Sequence, residues 1–152
     1  MEIRFLDTSR GTIEENIRLQ LKASHHMDWA VAFGTTTGFD LFRDEFHGFF
    51  AAGGASRSVF DLTEGVTDPT LIEELLTYPG ESKCRVYVGK GCDFGLFHHK
   101  LYYFESESQS TVIIGSANFT GSAMQTNLES CVLLSDNLSS PVLKEIKEYF
   151  EP

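Results

Sequence analysis

Positive charge is what this chain lacks most. It carries twelve Lys and Arg against twenty-two Asp and Glu, a formal net charge of −10 at pH 7. Non-specific nucleic-acid binding draws on many Lys and Arg contacts to phosphates, and the chain has no basic tail and no Arg-rich run. A broadly basic binding surface is therefore excluded. Positive potential for a polyanionic substrate must be local to a cleft, or come from another domain or partner. Long apolar runs are also lacking. No segment approaches the roughly 20 apolar residues of a membrane helix, and the start MEIRFLDTSR lacks the apolar stretch of a signal peptide. Cysteine is scarce: Cys84, Cys92 and Cys131 are an odd number without metal-type spacing. Buried or idle thiols in a reducing, cytoplasmic setting are the expectation.

What is present is globular. The 152 residues are 41% hydrophobic and include thirteen Phe, enough for one domain over 1–152 with a sizeable core. Ile3–Leu6 reads as a first strand. Thr12 and Glu15 form a capping box ahead of a helix to about Ala23, with Ile13, Ile17 and Leu21 at helical spacing. His25-His26 follows as a solvated helix end. Trp29–Phe33 is a continuous apolar run, as in a strand buried on both faces. After Gly34-Thr35-Thr36-Thr37-Gly38, the spacing of Phe39, Phe42, Phe46 and Phe49 predicts one helix, stopped by Gly53-Gly54. Ser56–Leu62 is a third strand. Asp68-Pro69 opens a helix with Leu71, Ile72, Leu75 and Leu76 on one face, and Pro79-Gly80 closes it. Cys84–Val88 is a fourth strand and Gly89–Gly95 a glycine-bearing loop.

Beyond the loop the rhythm changes. Leu96–Phe104 and Thr111–Gly115 read as adjacent strands joined by the polar turn Glu105–Ser110. Glu129–Leu134 is a further strand, and Pro141 starts a last amphipathic helix with Leu143, Ile146 and Phe150. Strand–helix alternation implies a parallel portion of sheet, and the later strands add antiparallel neighbours. The expected fold class is mixed α/β (α+β), a three-layer sandwich of one mixed β-sheet with helices on both faces.

The chemistry-bearing residues gather between His98 and Glu129. Residues two apart on a strand share a face, so His98 and Lys100 point together and His99 points away. Gly115-Ser116-Ala117-Asn118 ends the neighbouring strand in small residues that let a ligand approach the backbone closely. Asn127-x-Glu129 follows. A lone strand His is usually structural and Gly-Ser-x-Asn alone is a common turn; together they supply a nucleophile, a cation, hydrogen-bonding groups and a carboxylate, a set suited to phosphate chemistry without a metal. Metal ligation by His25-His26 or His98-His99 is disfavoured, because adjacent strand residues face apart and no Cys/His spacing supports zinc. The Gly34–Gly38 loop lacks the Lys of a P-loop and reads as a wall of a substrate cleft at the end of a parallel strand.

His98-x-Lys100, Glu105, Gly115-Ser116-x-Asn118 and Asn127-x-Glu129 resemble the HKD signature of the phospholipase D superfamily, His-x-Lys-x4-Asp, Gly-Ser-x-Asn and a later Glu. WAVAFGTTTGFDLF and the single signature resemble its nuclease side, including restriction endonucleases of this type. The resemblance implies a phospholipase D/nuclease-like fold, no cofactor and no metal. It implies His98 as the nucleophile that forms a phosphohistidine, and Lys100 and Asn118 as holders of the non-bridging oxygens. Ser116 then contacts phosphate or shapes the pocket, and Glu129 orients the far ring nitrogen of His98. A His attacks only through an unprotonated nitrogen, so the other nitrogen must carry the proton toward an acceptor. The chain departs from the signature at Glu105, which stands where the family has Asp, and in a turn after it that reads as longer than usual.

One signature supplies one His, and the mechanism needs a second to protonate the leaving oxygen. A homodimer sharing one site meets that need. The expected function is a metal-independent phosphodiesterase, foremost a nuclease, with DNA favoured over RNA and no membrane partner. The alternative is a non-catalytic, accessory domain that recognises phosphate or nucleic acid, as the N-terminal piece of a larger protein. A phospholipid head-group activity ranks third, since no basic amphipathic helix suggests a membrane surface.

Overall fold

The computed structural model describes residues 1–78, 82–88 and 97–151, with backbone alone for Ser82, Cys84 and Tyr87. The helix stop at Pro79-Gly80, the loop 89–95, Cys92 and Leu96 lie outside the described residues. Seven strands form one sheet: β1 (Glu2–Asp7), β2 (His26–Val31), β3 (Ala55–Asp61), β4 (Ser82–Tyr87), β5 (Lys100–Glu105), β6 (Gln109–Gly115) and β7 (Ser130–Asn137). Their spatial order is β1-β7-β6-β5-β2-β3-β4. β2, β3 and β4 are parallel, and every other pairing is antiparallel. The expected division into a parallel and an antiparallel part is therefore present, meeting where β5 pairs with β2.

Helices α1 (Thr12–Ala23), α2 (Thr36–Asp40), α3 (Arg43–Ala51), α4 (Pro69–Thr77), α5 (Gly121–Gln125) and α6 (Pro141–Glu148) complete the fold. One face of the sheet buries Trp29, Met27, Tyr102 and Ile113 against Ile13, Ile17, Phe46, Phe49 and Leu71 from the helices. Trp29 sits edge-on to Phe119 and Phe60, with ring centroids at 4.7 and 5.1 Å. The opposite face buries Ala30, Leu101, Tyr103 and Val112 beneath Leu143 of α6 and Phe150. Strands β2 and β5 are covered on both faces, which accounts for the apolar run Trp29–Phe33, although β2 spans His26–Val31 and leaves Ala32 and Phe33 beyond its end.

Local chemistry corrects several expectations. Thr12 is not a cap: its hydroxyl oxygen accepts from Asp7 N at 2.8 Å, and Gly11, at φ 68, takes the N-cap position. The aromatic helix is two helices. Phe42 leaves the helical region at φ −122, ψ 13, and the Leu41 carbonyl accepts from the Arg18 guanidinium at 2.9 Å. Phe39, Phe42 and Phe46 nevertheless remain fully buried on one side. On α4, Leu71 and Leu75 are buried but Leu76 is 56% exposed, so the apolar face is narrower than expected. His26 is not a solvated helix end: it opens β2, and its Nε2 lies 2.9 Å from the buried Asp28 carboxylate. The turn after Glu105 is short, since Glu105 pairs with Ser110 and Ser106 N donates to the Gln109 carbonyl at 2.9 Å.

Candidate active site

Lys100 is the first residue of β5 and pairs with Val31, the last residue of β2. That position leaves it only 8% exposed. His98 precedes the strand and is exposed. The backbone stays extended past the strand start, with Ala32 N donating to the His99 carbonyl at 2.7 Å. Alternation therefore still operates: the Lys100 ammonium lies 2.8 Å from Nδ1 and 2.8 Å from Nε2 of His98, whereas His99 turns to the Tyr149 hydroxyl at 2.8 Å. Burial lowers the Lys100 pKa, and the Glu129 charge offsets part of that effect. Burial, then the Lys100 charge, lowers that of His99.

The second group of residues lies where β6 ends and β7 begins. Gly115 pairs with Cys131, and a Cβ there would collide with the Ser130 carbonyl oxygen. Only glycine permits this approach without displacing the backbone. Ser116 N then donates to the Ser130 carbonyl at 3.0 Å, and its hydroxyl donates to the Glu129 carboxylate. Asn127 Nδ2 reaches the other Glu129 oxygen at 3.4 Å. The Glu129 backbone is held by Thr8, whose hydroxyl oxygen accepts from Glu129 N at 3.2 Å.

Asn118 is half-buried, and its Oδ1 accepts from Phe33 N at 3.1 Å. Residues 33–35 run beside Phe119 in a short parallel bridge, with Thr35 N donating to the Phe119 carbonyl at 2.9 Å. The expected Gly34–Gly38 loop is shorter than read, because α2 begins at Thr36, and Gly34-Thr35 stands against the segment that bears Asn118. The buried Tyr102 hydroxyl donates to the Ala117 carbonyl at 3.0 Å, tying β5 to the same segment.

The sequence-predicted residues therefore form two linked groups. His98 joins Lys100, and Ser116 joins Glu129 and Asn127. Lys100 feels the Glu129 charge, but no hydrogen bond or ion pair joins Glu129 to His98 among the described residues. Asn118 is fixed to Phe33. Sequence reasoning missed Thr8, Tyr102 and Phe33 as supports. Tyr102 was detectable, being two residues beyond Lys100 on the same face. Thr8 and Phe33 act through distant pairings that no local pattern announces.

Glu105, at the family's Asp position, lies at the far end of β5, about 17 Å along the strand from Lys100. Its carboxylate accepts from Lys147 Nζ at 2.7 Å and the Tyr103 hydroxyl at 2.9 Å. Burial raises its pKa, but these two hydrogen bonds outweigh that and leave it lowered. It binds α6 to the sheet and stands apart from the site.

The fold has solved counterparts. NucT from Helicobacter pylori superposes with a TM-score of 0.74 at 16% identity, over 99% of this chain and 94% of that one. Nuc from Salmonella typhimurium, a phospholipase D family member, gives 0.72 at 15%, over 97% and 90%. TrmBL2, an archaeal chromatin protein, gives 0.57 at 12%, over 99% of this chain and 50% of that one. No curated protein gives a significant match. No helix among the described residues is long and apolar enough to cross a membrane. The family model for the cardiolipin synthase, PLD-like domain matches residues 59–152, more than half of the chain and all of the constellation. The chain belongs to the phospholipase D superfamily, with the mixed seven-stranded fold of its nucleases.

Proposed function

We propose that the protein is a metal-independent phosphodiesterase, foremost a DNA nuclease, that works through a covalent His98 intermediate in a site shared by a homodimer. The observation that carries this reading is the buried Lys100 ammonium at 2.8 Å from the His98 ring nitrogens, beside the Glu129 charge. An ammonium in that place holds the imidazole lone pair. A phosphodiester entering the site draws Lys100 and the Asn118 amide onto its non-bridging oxygens, and the freed His98 nitrogen attacks phosphorus. A P–N bond forms as the bond to the leaving oxygen breaks, and that oxygen takes a proton from a second imidazolium. The same imidazole then deprotonates water, which attacks phosphorus, breaks the P–N bond and restores His98. Glu129, held by Ser116, supplies negative charge that favours the imidazolium-like transition state.

We assign the second imidazole to another copy of this chain. The chain has five His, and the other four are committed elsewhere. His99 meets Tyr149, His26 meets Asp28, His25 lies 4.0 Å from Glu105, and His47 packs on Tyr78. A two-fold dimer that brings the two His98 residues together completes the chemistry. Activity by a species of monomer size in light scattering at assay concentration would overturn it.

The test is hydrolysis of an activated aryl phosphodiester in excess chelator, by wild type and by His98→Ala. Turnover in the first and none in the second is the expected result, with a bell-shaped pH profile because one His must be neutral and the other charged. Chelator-sensitive turnover restored by magnesium would overturn the reading. The second reading is an accessory domain that recognises nucleic acid without cleaving it. The fold shared with a chromatin protein whose structure concerns DNA binding favours it. The presence of His98, Lys100, Asn118 and Glu129 together opposes it.

A further inference from the structure

Half of the twelve Lys and Arg of this acidic chain pair with its own carboxylates, and Lys22, Lys100 and Lys144 have no ion-pair partner among the described residues. Arg4 pairs with Glu2, Arg10 with Asp7, Arg18 with Glu14 and Glu45, and Arg43 with Asp40 and Glu74. Lys83 and Arg85 differ. Both are exposed on β4, the strand at one edge of the sheet, and neither has an ion-pair partner among the described residues. They are two residues apart, so they share a face, and the register sets Lys83 beside Arg57 and Arg85 beside Val59.

Between these strands and the end of α6 runs a cleft of about 230 Å³, lined by Arg57, Lys83, Arg85 and Glu151 among others. An adjoining hollow of about 220 Å³ adds His26 and Lys147. The carboxylates facing it are spoken for. Asp28, fully buried, takes both Arg57 nitrogens at 2.6 Å, Glu105 takes Lys147, and Glu151 reaches Arg57 at 3.0 Å. Among the described residues Lys83 and Arg85 thus stand as a cationic pair without an ion-pair partner along one wall.

The pair is also placed to serve the catalytic end. Arg57 pairs with Asp28 and Val59 with Ala30, so Lys83 stands three rungs and Arg85 one rung below Val31, which pairs with Lys100. Across the sheet, β4 lies three strand spacings from β5, about 14 Å. A nucleic-acid strand of a few nucleotides spans that distance. Alternation turns Lys100 toward the other face, so the strand reaches it by passing over the end of β2. Two cations about 6.6 Å apart along a strand present charge in a line, as a phosphodiester chain does.

The geometry points to Lys83 and Arg85 as a phosphate-anchoring track for a single-stranded nucleic-acid substrate, outside the catalytic constellation; the assignment rests on the nuclease reading above. It also bears on the question the charge raises, since two cations without an ion-pair partner among the described residues stand together at this edge. The track contributes to binding of a polymer and nothing to a small phosphodiester.

The experiment uses the full chain with Lys83→Gln/Arg85→Gln. Binding of a fluorescent single-stranded oligonucleotide is followed by anisotropy across a salt series, with His98→Ala in the background to prevent cleavage. Aryl phosphodiester hydrolysis is followed with His98 intact. The double variant is expected to weaken oligonucleotide binding about tenfold, to lower the slope of log K against log salt by about 1.4, and to leave aryl phosphodiester turnover within twofold. An unchanged affinity and slope would overturn the track. So would an equal loss from Lys22→Gln/Lys144→Gln, which removes the same charge elsewhere. Oligonucleotide binding that depends on Lys83 and Arg85 in a protein without aryl phosphodiester activity would sustain the track and defeat the catalytic reading. Activity without oligonucleotide binding would do the reverse.

Discussion

The Ser116 hydroxyl donates to the Glu129 carboxylate across the junction of β6 and β7. The acid that the signature assigns to the nucleophile is thereby fixed in place by the serine of the same signature. Ser116 is a positioning residue in this arrangement. Ser116→Ala is expected to lower kcat about threefold to tenfold, and Glu129→Gln about 100-fold. The informative readout is their combination. If Ser116 acts through Glu129, its effect disappears in the Glu129→Gln background; full additivity of the two losses would show independent roles.

Lys100 should trade stability for chemistry. Its ammonium is buried and its pKa lowered by that burial, so the folded state disfavours the charged form. Lys100→Met is expected to lower kcat about 100- to 1,000-fold while raising Tm by about 2–4 °C. The lowered value also sets a limit on activity in alkali. As pH rises through it the cation is lost, which steepens the alkaline limb of kcat/KM already set by loss of the imidazolium, and does so earlier than an ordinary lysine would. A lower Tm in the Met variant would show that the buried charge is compensated more fully than by Glu129 alone.

Two glycines make opposite predictions. Gly115→Ala drives a methyl group into the Ser130 carbonyl oxygen, which forces β6 from β7 where Ser116 and Glu129 meet. A destabilisation of about 1–3 kcal/mol and loss of most activity are expected. Gly48 lies inside α3, and a methyl group added there would meet nothing within 4 Å. Gly48→Ala is expected to stabilise by about 0.5–1 kcal/mol with activity unchanged. Urea unfolding of both variants checks the contrast.

Acid should weaken the fold through Asp28. Burial pushes its carboxyl up, but hydrogen bonds from Arg57 and His26 outweigh this and hold the pKa below the usual range. A lowered folded value means that the carboxylate stabilises the native state above the unfolded value of about 3.9. That contribution is lost as pH falls through the folded value. Wild-type stability is expected to fall as pH drops below the unfolded value of about 3.9. Asp28→Asn, which leaves the half-buried Arg57 with only Glu151 as a charged partner, should cost about 1–3 kcal/mol at pH 7 and flatten that acid dependence. An unchanged acid limb in the variant would place the titration elsewhere.

Much of the layout was legible locally. The apolar run at Trp29, the Asp68 cap before Pro69 and the helix from Pro141 are short-range patterns, and all three stand where the residues indicate. The errors share one cause. Thr12 was available to cap α1, yet the neighbouring strand claimed its hydroxyl, and the Phe39–Phe49 period continued through a break that Arg18 relieves from another helix. The short helix α5 escaped notice because GSAMQ is barely more than one turn and opens on Gly and Ser, and the Thr120 cap and its place between other elements sustain it.

For the site, residue identity and spacing determined which groups are present and that His98 and Lys100 would point together, because alternation along an extended chain is a property of the backbone. Tertiary structure decided the rest. Pairing of β5 with β2 buries Lys100 and lowers its pKa, pairing of β6 with β7 gives Glu129 to Ser116, and the crossing of residues 33–35 beside Phe119 fixes Asn118. It likewise decided that Glu105 would serve α6 and that Lys83 and Arg85 would stand at the sheet edge without an ion-pair partner among the described residues. Burial, charge compensation and partner choice depend on which segments meet, and segments distant in the chain meet only when the whole sheet has formed.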